Sequence, residues 1–178
     1  MRKLIASTFT SLDGVMQAPG MPTEDPSGNF TLGGWLFGFM DAEVDLSGSG
    51  FDGKDRELVL GRITYEIFAA YWPYQSEENP IARTFNTTKK HVATRTLKTL
   101  QWNNSSLLGA DVVSAITALK AQPGKNLQII GSGNLIQTLQ AAALIDEYHV
   151  WVFPVMLGGG KRLFENGARP CAMKLVAS

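Results

Sequence analysis

The sequence is poor in residues that bind metals or form cross-links: it has one cysteine, Cys171, and two histidines, His91 and His149. A lone cysteine excludes an intramolecular disulfide. No cysteine or histidine grouping has the spacing of a zinc site, so no metal is expected. A reducing, cytoplasmic setting is the simplest compartment. An excess of either charge is also missing, since Lys plus Arg and Asp plus Glu both number 16. No overall field therefore draws the chain to nucleic acid or to an anionic membrane, and any phosphate recognition must be local. No run approaches the roughly 18 consecutive apolar residues of a membrane span. The stretch from Met1 to Phe9 is interrupted by Ser7 and Thr8 and is too short for the apolar region of a signal peptide.

What is present points to a packed globular protein. Hydrophobic residues make up 44% and charged residues 18% of 178 residues, which suits one α/β domain over residues 1–178. Arg2 to Thr10 reads as a buried strand that Asp13-Gly14 turns. Residues 17–34, rich in Pro, Gly, Asp and Ser, form a long loop of the kind that carries function. Trp35 to Leu46 suits a short helix covering a sheet. Glu57 to Gly61, Lys90 to Thr94, Asn126 to Gly131 and Asp146 to Phe153 read as further strands. Helices are expected from Ile63 to Tyr71, where Pro73 closes the segment, from Asp111 as cap through Ala121, and across Leu135, Leu139 and Ala142. Strands alternating with helices of this length imply a mostly parallel sheet covered on both faces.

Three strand ends share a chemistry. Gly61-Arg62-Ile63-Thr64, Thr94-Arg95-Thr96 and Gly131-Ser132-Gly133-Asn134 each follow an apolar strand with small, hydroxyl, amide or guanidinium groups. In an open α/β sheet, ligands sit outside the carboxyl ends of the strands, so the three clusters face one crevice. Small residues let backbone N–H groups approach an anion, and the helix starts after Gly61 and Gly133 add positive potential. Taken alone, each cluster reads more readily as turn punctuation; together they suggest a phosphate-rich ligand. The late glycine loop is not the dinucleotide fingerprint, because Ile136 holds the place of its third glycine. Gly158-Gly159-Gly160-Lys161 lacks the spacing and hydroxyl of a P-loop.

The order and spacing of Thr10-Ser11-Leu12-Asp13-Gly14-Val15, Leu60-Gly61-Arg62-Ile63-Thr64-Tyr65-Glu66, Ala93-Thr94-Arg95-Thr96, Gly131-Ser132-Gly133-Asn134-Leu135 and Pro154-Val155-Met156-Leu157-Gly158 are distinctive. With Leu163-Phe164, they make the chain resemble the dihydrofolate reductase-like proteins related to the carboxyl-terminal reductase domain of the bifunctional riboflavin-biosynthesis deaminase-reductase. The resemblance implies a three-layer α/β/α fold around an eight-stranded, mostly parallel sheet. It also implies NADPH as cofactor, a homodimer, and an activity like that of 5-amino-6-(5-phosphoribosylamino)uracil reductase or dihydrofolate reductase on a pterin-like or pyrimidine-like acceptor. By the same resemblance, Ala6, Asp13, Gly14 and Val15 lie beside the nicotinamide. Gly61, Arg62, Thr64 and Gly131 to Leu135 hold the pyrophosphate, and Thr94, Arg95 and Thr96 surround the adenosine ribose and its extra phosphate. An Arg flanked by hydroxyls suits that phosphate, whereas an NAD site offers a carboxylate to the ribose diol.

Two features depart from the family pattern. Ile130 stands where the riboflavin-pathway reductases typically carry a substrate-holding glutamate. The sequence also stops at Ser178, just after an expected strand from Met173 to Val176, where relatives commonly continue into another edge strand. On the substrate side, Asp41 is the nearest match to the cleft carboxylate of dihydrofolate reductases, and Trp35, Phe37, Pro154 and Gly158 are expected to wall the acceptor pocket. A nucleotide-binding or oligomer-forming protein without turnover keeps the same cofactor clusters, and it is the competing reading.

Overall fold

The computed structural model describes residues 1–40 and 55–178. Its strands are β1 (Leu4–Ser11), β2 (Arg56–Gly61), β3 (Lys90–Ala93), β4 (Ser105–Leu107), β5 (Asn126–Ile130) and β6 (Glu147–Phe153). The helices are α1 (Arg62–Tyr71), α2 (Pro80–Thr87), α3 (Val112–Ala121) and α4 (Gly133–Ala141). The strands form one sheet in the order β4-β3-β2-β5-β1-β6, and every pairing in it is parallel.

Alternation along the inner strands decides which helices cover which face. Leu4, Ala6, Val59, Leu127 and Ile129 point to the side where Ile116 of α3 and Ile136 and Leu139 of α4 pack. Leu58, Leu60, Val92 and Ile130 point to the opposite side, against Tyr65 of α1 and Phe85 of α2. Near β1 and β6, that second face is covered instead by an aromatic cluster of Phe9, Trp35, Leu36 and Phe153. The result is the three-layer α/β/α arrangement with a parallel sheet at its centre. All eight residues of β1 are buried, because β1 has neighbours on both edges and on both faces.

Charge is concentrated at the opposite, amino-terminal end of the strands. Arg2 Nη2 lies 2.6 Å from Glu57 Oε2, and His91 Nε2 lies 2.7 Å from the same oxygen. Arg2 Nε also donates to the Lys125 carbonyl. Lys90, fully buried, donates to the carbonyls of Phe85 (2.6 Å) and Thr88 (2.7 Å) and stands 4.2 Å from the Trp102 ring centroid. Desolvation pushes its ammonium down to about 8.

Four expectations change in the structure. Among the described residues the sheet has six strands, not eight. Met173 to Val176 is not a strand: no partner strand pairs with it among the described residues, and Met173, Leu175 and Val176 are 56%, 80% and 79% exposed. Trp35 begins no regular helix. Only a single 3-10 turn, Phe37–Phe39, follows it, next to Gly34 at φ 76°, and residues 41–54 lie outside the described part. Finally, α2 and β4 are additional elements. The sequence did carry a signal for α2: the Asn79 side chain accepts from the amides of Ile81 (2.9 Å) and Ala82 (3.3 Å), and Pro80 takes the first helical position.

Candidate active site

The connection after β2 runs toward β3, while the connection after β5 runs toward β6, so the chain leaves two adjacent strands in opposite directions. Such a switch point opens a crevice between the two strand ends. Here the helices α1 and α4 begin at that crevice, directly after Gly61 and Ser132.

One side chain ties the two loops together. Ser132 Oγ accepts from the Gly61 amide at 2.8 Å and donates to Thr64 Oγ1 at 2.8 Å. To reach that position Ser132 adopts φ 64° and ψ 57°, a left-handed conformation that is costly for a side-chain-bearing residue. Gly61 permits the approach, since a Cβ there would meet Ser132 Oγ at 3.1 Å and Ser132 Cβ at 3.2 Å. On the other side of β2, Thr94 Oγ1 accepts from the amides of Thr96 (3.2 Å) and Leu97 (3.1 Å), which folds the chain back and leaves Arg95 exposed at the rim.

A cleft of about 830 Å³ runs across these strand ends. It gathers Gly61, Arg62 and Thr64 with Thr94, Arg95 and Thr96, and also takes in Gly131 through Leu135. Ser7, Thr8 and Phe9 of β1 and Trp151 of β6 continue its floor. Phe37 lines it, whereas Trp35 lies underneath, donating from Nε1 to the Gln17 carbonyl at 2.8 Å.

Other expected site residues lie outside the cleft lining. Ala6 is fully buried in the core, and Val15 is fully buried too. Asp13 and Gly14 bind the segment after β6: Asp13 accepts from the amides of Leu157 (3.1 Å) and Gly158 (2.9 Å), and the Gly14 carbonyl accepts from the Leu163 amide at 3.1 Å. The Ser11 hydroxyl, then these amides, hold the Asp13 carboxyl down at about 2. Pro154 and Gly158 belong to that tethered segment. Asp41 lies outside the described residues.

The loop over residues 17–34 supplies groups that sequence reading did not single out. Glu24 and Asp25 line the cleft with Gln17 and Lys161. Lys161 Nζ donates to Asp25 Oδ2 at 2.6 Å and to Ser27 Oγ at 2.7 Å. Burial pushes the Asp25 carboxyl up, but Lys161 and Ser27 outweigh it and hold it below its ordinary value. Burial pushes Glu24 up as well; although it accepts from the Gly20 and Met21 amides, its carboxyl stays above the ordinary value, with the Asp25 charge adding to the effect. The composition of the loop suggested a functional segment without singling out these carboxylates; within it, Met21 and Pro22 pack closely against Gly33 and Gly34, and Glu24 and Asp25 follow at the cleft.

A family model described as "RibD C-terminal domain" matches residues 2–178. The chain belongs to that family. Among solved structures, this RibD C-terminal domain superposes on a protein named for riboflavin biosynthesis from Shewanella sp. PV-4. The TM-score is 0.70 at 25% identity, covering 99% of this chain and 90% of that one. It also shares its fold with the dihydrofolate reductase of Enterococcus faecalis, solved with NADP(H), at a TM-score of 0.54 and 18% identity over 92% of this chain and 77% of that one. Two uncharacterised proteins of Bacillus subtilis (strain 168) are similar in sequence. YwjB is 27% identical over 98% of this chain and 89% of its own length, and YyaP is 26% identical over 75% and 72%.

Within the RibD C-terminal fold, Ile130 is 4% exposed and packs in the core on the α1 face while also lining the cleft floor. Its side chain offers the cleft an apolar surface and no carboxylate. Among the described residues no helix is long and apolar enough to cross a membrane, and no group of three or more His, Cys, Asp or Glu side chains could hold a metal ion.

Proposed function

We propose that the chain is an NADPH-dependent reductase that passes a hydride to a small heteroaromatic, pterin-like or pyrimidine-like acceptor. The observation that carries this reading is the Gly61–Ser132–Thr64 lock, which fixes two helix starts side by side at the switch point with the Thr94-Arg95-Thr96 turn next to them. The donor set fits a dinucleotide phosphate. Backbone N–H groups at the starts of α1 and α4 would hold a pyrophosphate, while Arg95 and the hydroxyls of Thr94 and Thr96 would suit a further phosphate on the ribose. Two helix starts together contribute about 1–2 kcal/mol toward an anion, roughly tenfold in affinity, so hydrogen bonds and apolar contact must supply most of the binding.

When bound, NADPH supplies the hydride; the chain orients the acceptor and excludes water. Thr8, Phe9 and Trp151 offer a mixed polar and aromatic floor for a flat ring. Asp41 is assigned the acceptor-side carboxylate. Val150 and Val152, 38% and 58% exposed on the edge strand β6, are assigned the contact of a homodimer in the cytoplasm. The test is a thermal melt with NADPH, followed by loss of nicotinamide absorbance when candidate acceptors are added. A rise in the midpoint with NADPH and acceptor-dependent oxidation are expected. No shift at millimolar NADPH overturns the reading, and binding without oxidation of NADPH by any acceptor class reduces it to a nucleotide-binding role.

A further inference from the structure

The cleft has a second region whose chemistry differs from that of the strand ends. On the α1 face of the sheet, α1 and α2 cover β2 and β3, while the Trp35 to Met40 segment covers β1 and β6. Between these two covers the cleft is walled by Ile67, Phe68 and Tyr71 on one side and by Phe37, Met40 and Met21 on the other. Several of these side chains are far more exposed than packing alone explains: Phe37 is 65%, Tyr71 40%, Met40 38% and Met21 37% exposed. Large apolar side chains turned toward one concavity mark a surface that a ligand covers.

The charges around this region favour one kind of ligand over another. Among the described residues the cleft wall carries three cations, Arg62, Arg95 and Lys161. Arg62 pairs with Glu66 at 2.8 Å and stands with Arg95 at the β2 and β3 ends, where the nucleotide phosphates are assigned. Lys161 is held by Asp25 at 2.6 Å. The loop beside the Phe37 wall contributes the acidic pair Glu24 and Asp25 instead of a phosphate-binding cation. A phosphorylated substituent placed here would be desolvated beside two carboxylates, and the one cation near them among the described residues, Lys161, is already held by Asp25 and Ser27.

We infer that the acceptor of this reductase carries an uncharged, apolar substituent seated between α1 and the Phe37 to Met40 segment, and not a ribosyl phosphate. The inference rests on the reductase reading above and specifies its substrate class. It separates this chain from the phosphoribosylated aminouracil that the family resemblance suggests. The loss of a carboxylate at Ile130 agrees with it, since that position presents an apolar side chain to the same cleft.

The experiment compares two probes that share one flat ring, 6-phenylpterin and 6-(phosphooxymethyl)pterin, by fluorescence titration of the full chain with and without saturating NADPH. The phenyl compound is expected to bind about tenfold or more tightly than the phosphorylated one. Tyr71→Lys, at an exposed position on the last turn of α1, is expected to reduce or reverse that preference. Equal or tighter binding of the phosphorylated probe to the wild-type chain overturns the inference, as does failure of the phenyl probe to bind. If NADPH causes no thermal shift while the phenyl preference is present, the cofactor reading fails and the apolar site stands. If NADPH binds and the preference is absent, only the apolar site fails.

Discussion

Ser132 accepts a hydrogen bond from the Gly61 amide across the switch point, joining the end of β2 to the end of β5 through one hydroxyl. Replacing it with alanine leaves that amide, and the Thr64 hydroxyl, without this partner in a half-buried place. Ser132→Ala is expected to lower stability by about 1–3 kcal/mol. It is also expected to weaken NADPH binding, because the two helix starts lose their fixed separation. Urea unfolding and isothermal titration check the two effects, and unchanged NADPH affinity would confine the lock to a structural role.

Arg95 separates the two nicotinamide cofactors if it meets the extra phosphate. A charge-assisted hydrogen bond contributes about 1.5–3 kcal/mol, and the exposure of Arg95 puts the expected effect at the lower end, roughly tenfold. Arg95→Ala should weaken NADPH and leave NADH nearly unaffected, with the difference shrinking at high salt. Parallel titrations at two ionic strengths measure this. Equal losses for both cofactors would move Arg95 to the shared part of the ligand.

The strand-end side of the cleft was legible because its residues are local in sequence. Each loop follows its own strand, so Gly61, Arg95 and Gly131 could be placed at a common edge before any contact was known. The apolar and acidic walls were not legible in the same way. Glu24 and Asp25 reach the cleft through the folding of the loop over residues 17–34 on itself, where Met21 and Pro22 pack against Gly33 and Gly34, and Lys161 comes from a segment more than a hundred residues later in the chain. Trp35 illustrates the other difficulty: an aromatic residue in an apolar run reads the same whether it faces a ligand or, as here, the core beside Phe153. The Asp13-Gly14-Val15 motif was found correctly as a turn, but its hydrogen bonds go to Leu157, Gly158 and Leu163.

Asp13 gives that turn a pH dependence of definite sign. Its folded value, about 2, lies below the ordinary 3.8, so its stabilising contribution is complete above the ordinary value and is lost as pH falls toward the folded one. Hydrogen exchange at the Leu157 and Gly158 amides should accelerate between about pH 4 and pH 2, beyond the general acid trend. Asp13→Asn should remove the transition. A transition that persists in the variant would assign it to another carboxylate.

At the far end of the strands, Glu57 neutralises Arg2, whose side chain is 4% exposed. Removing one partner of a buried pair costs about 3–5 kcal/mol, because the other charge is left uncompensated. Glu57→Gln should destabilise the chain by an amount on that order in urea while leaving the NADPH affinity of the remaining folded protein unchanged. The conservative Glu57→Asp variant should recover part of the loss if reach permits. A fall in NADPH affinity with unchanged stability would contradict the structural assignment.

β1 is the most enclosed strand of the sheet, yet its partners come from the distal part of the sequence: Leu4 pairs with Leu127, and Ile5 pairs with Glu147. Contacts this distant in sequence are slow to form. During synthesis Leu4 to Ser11 is made well before β5 and β6 and must wait as an apolar segment until both have been synthesised. Native-like order in β1 is therefore a late event in the life of each molecule, and until then its apolar residues are exposed to aggregation.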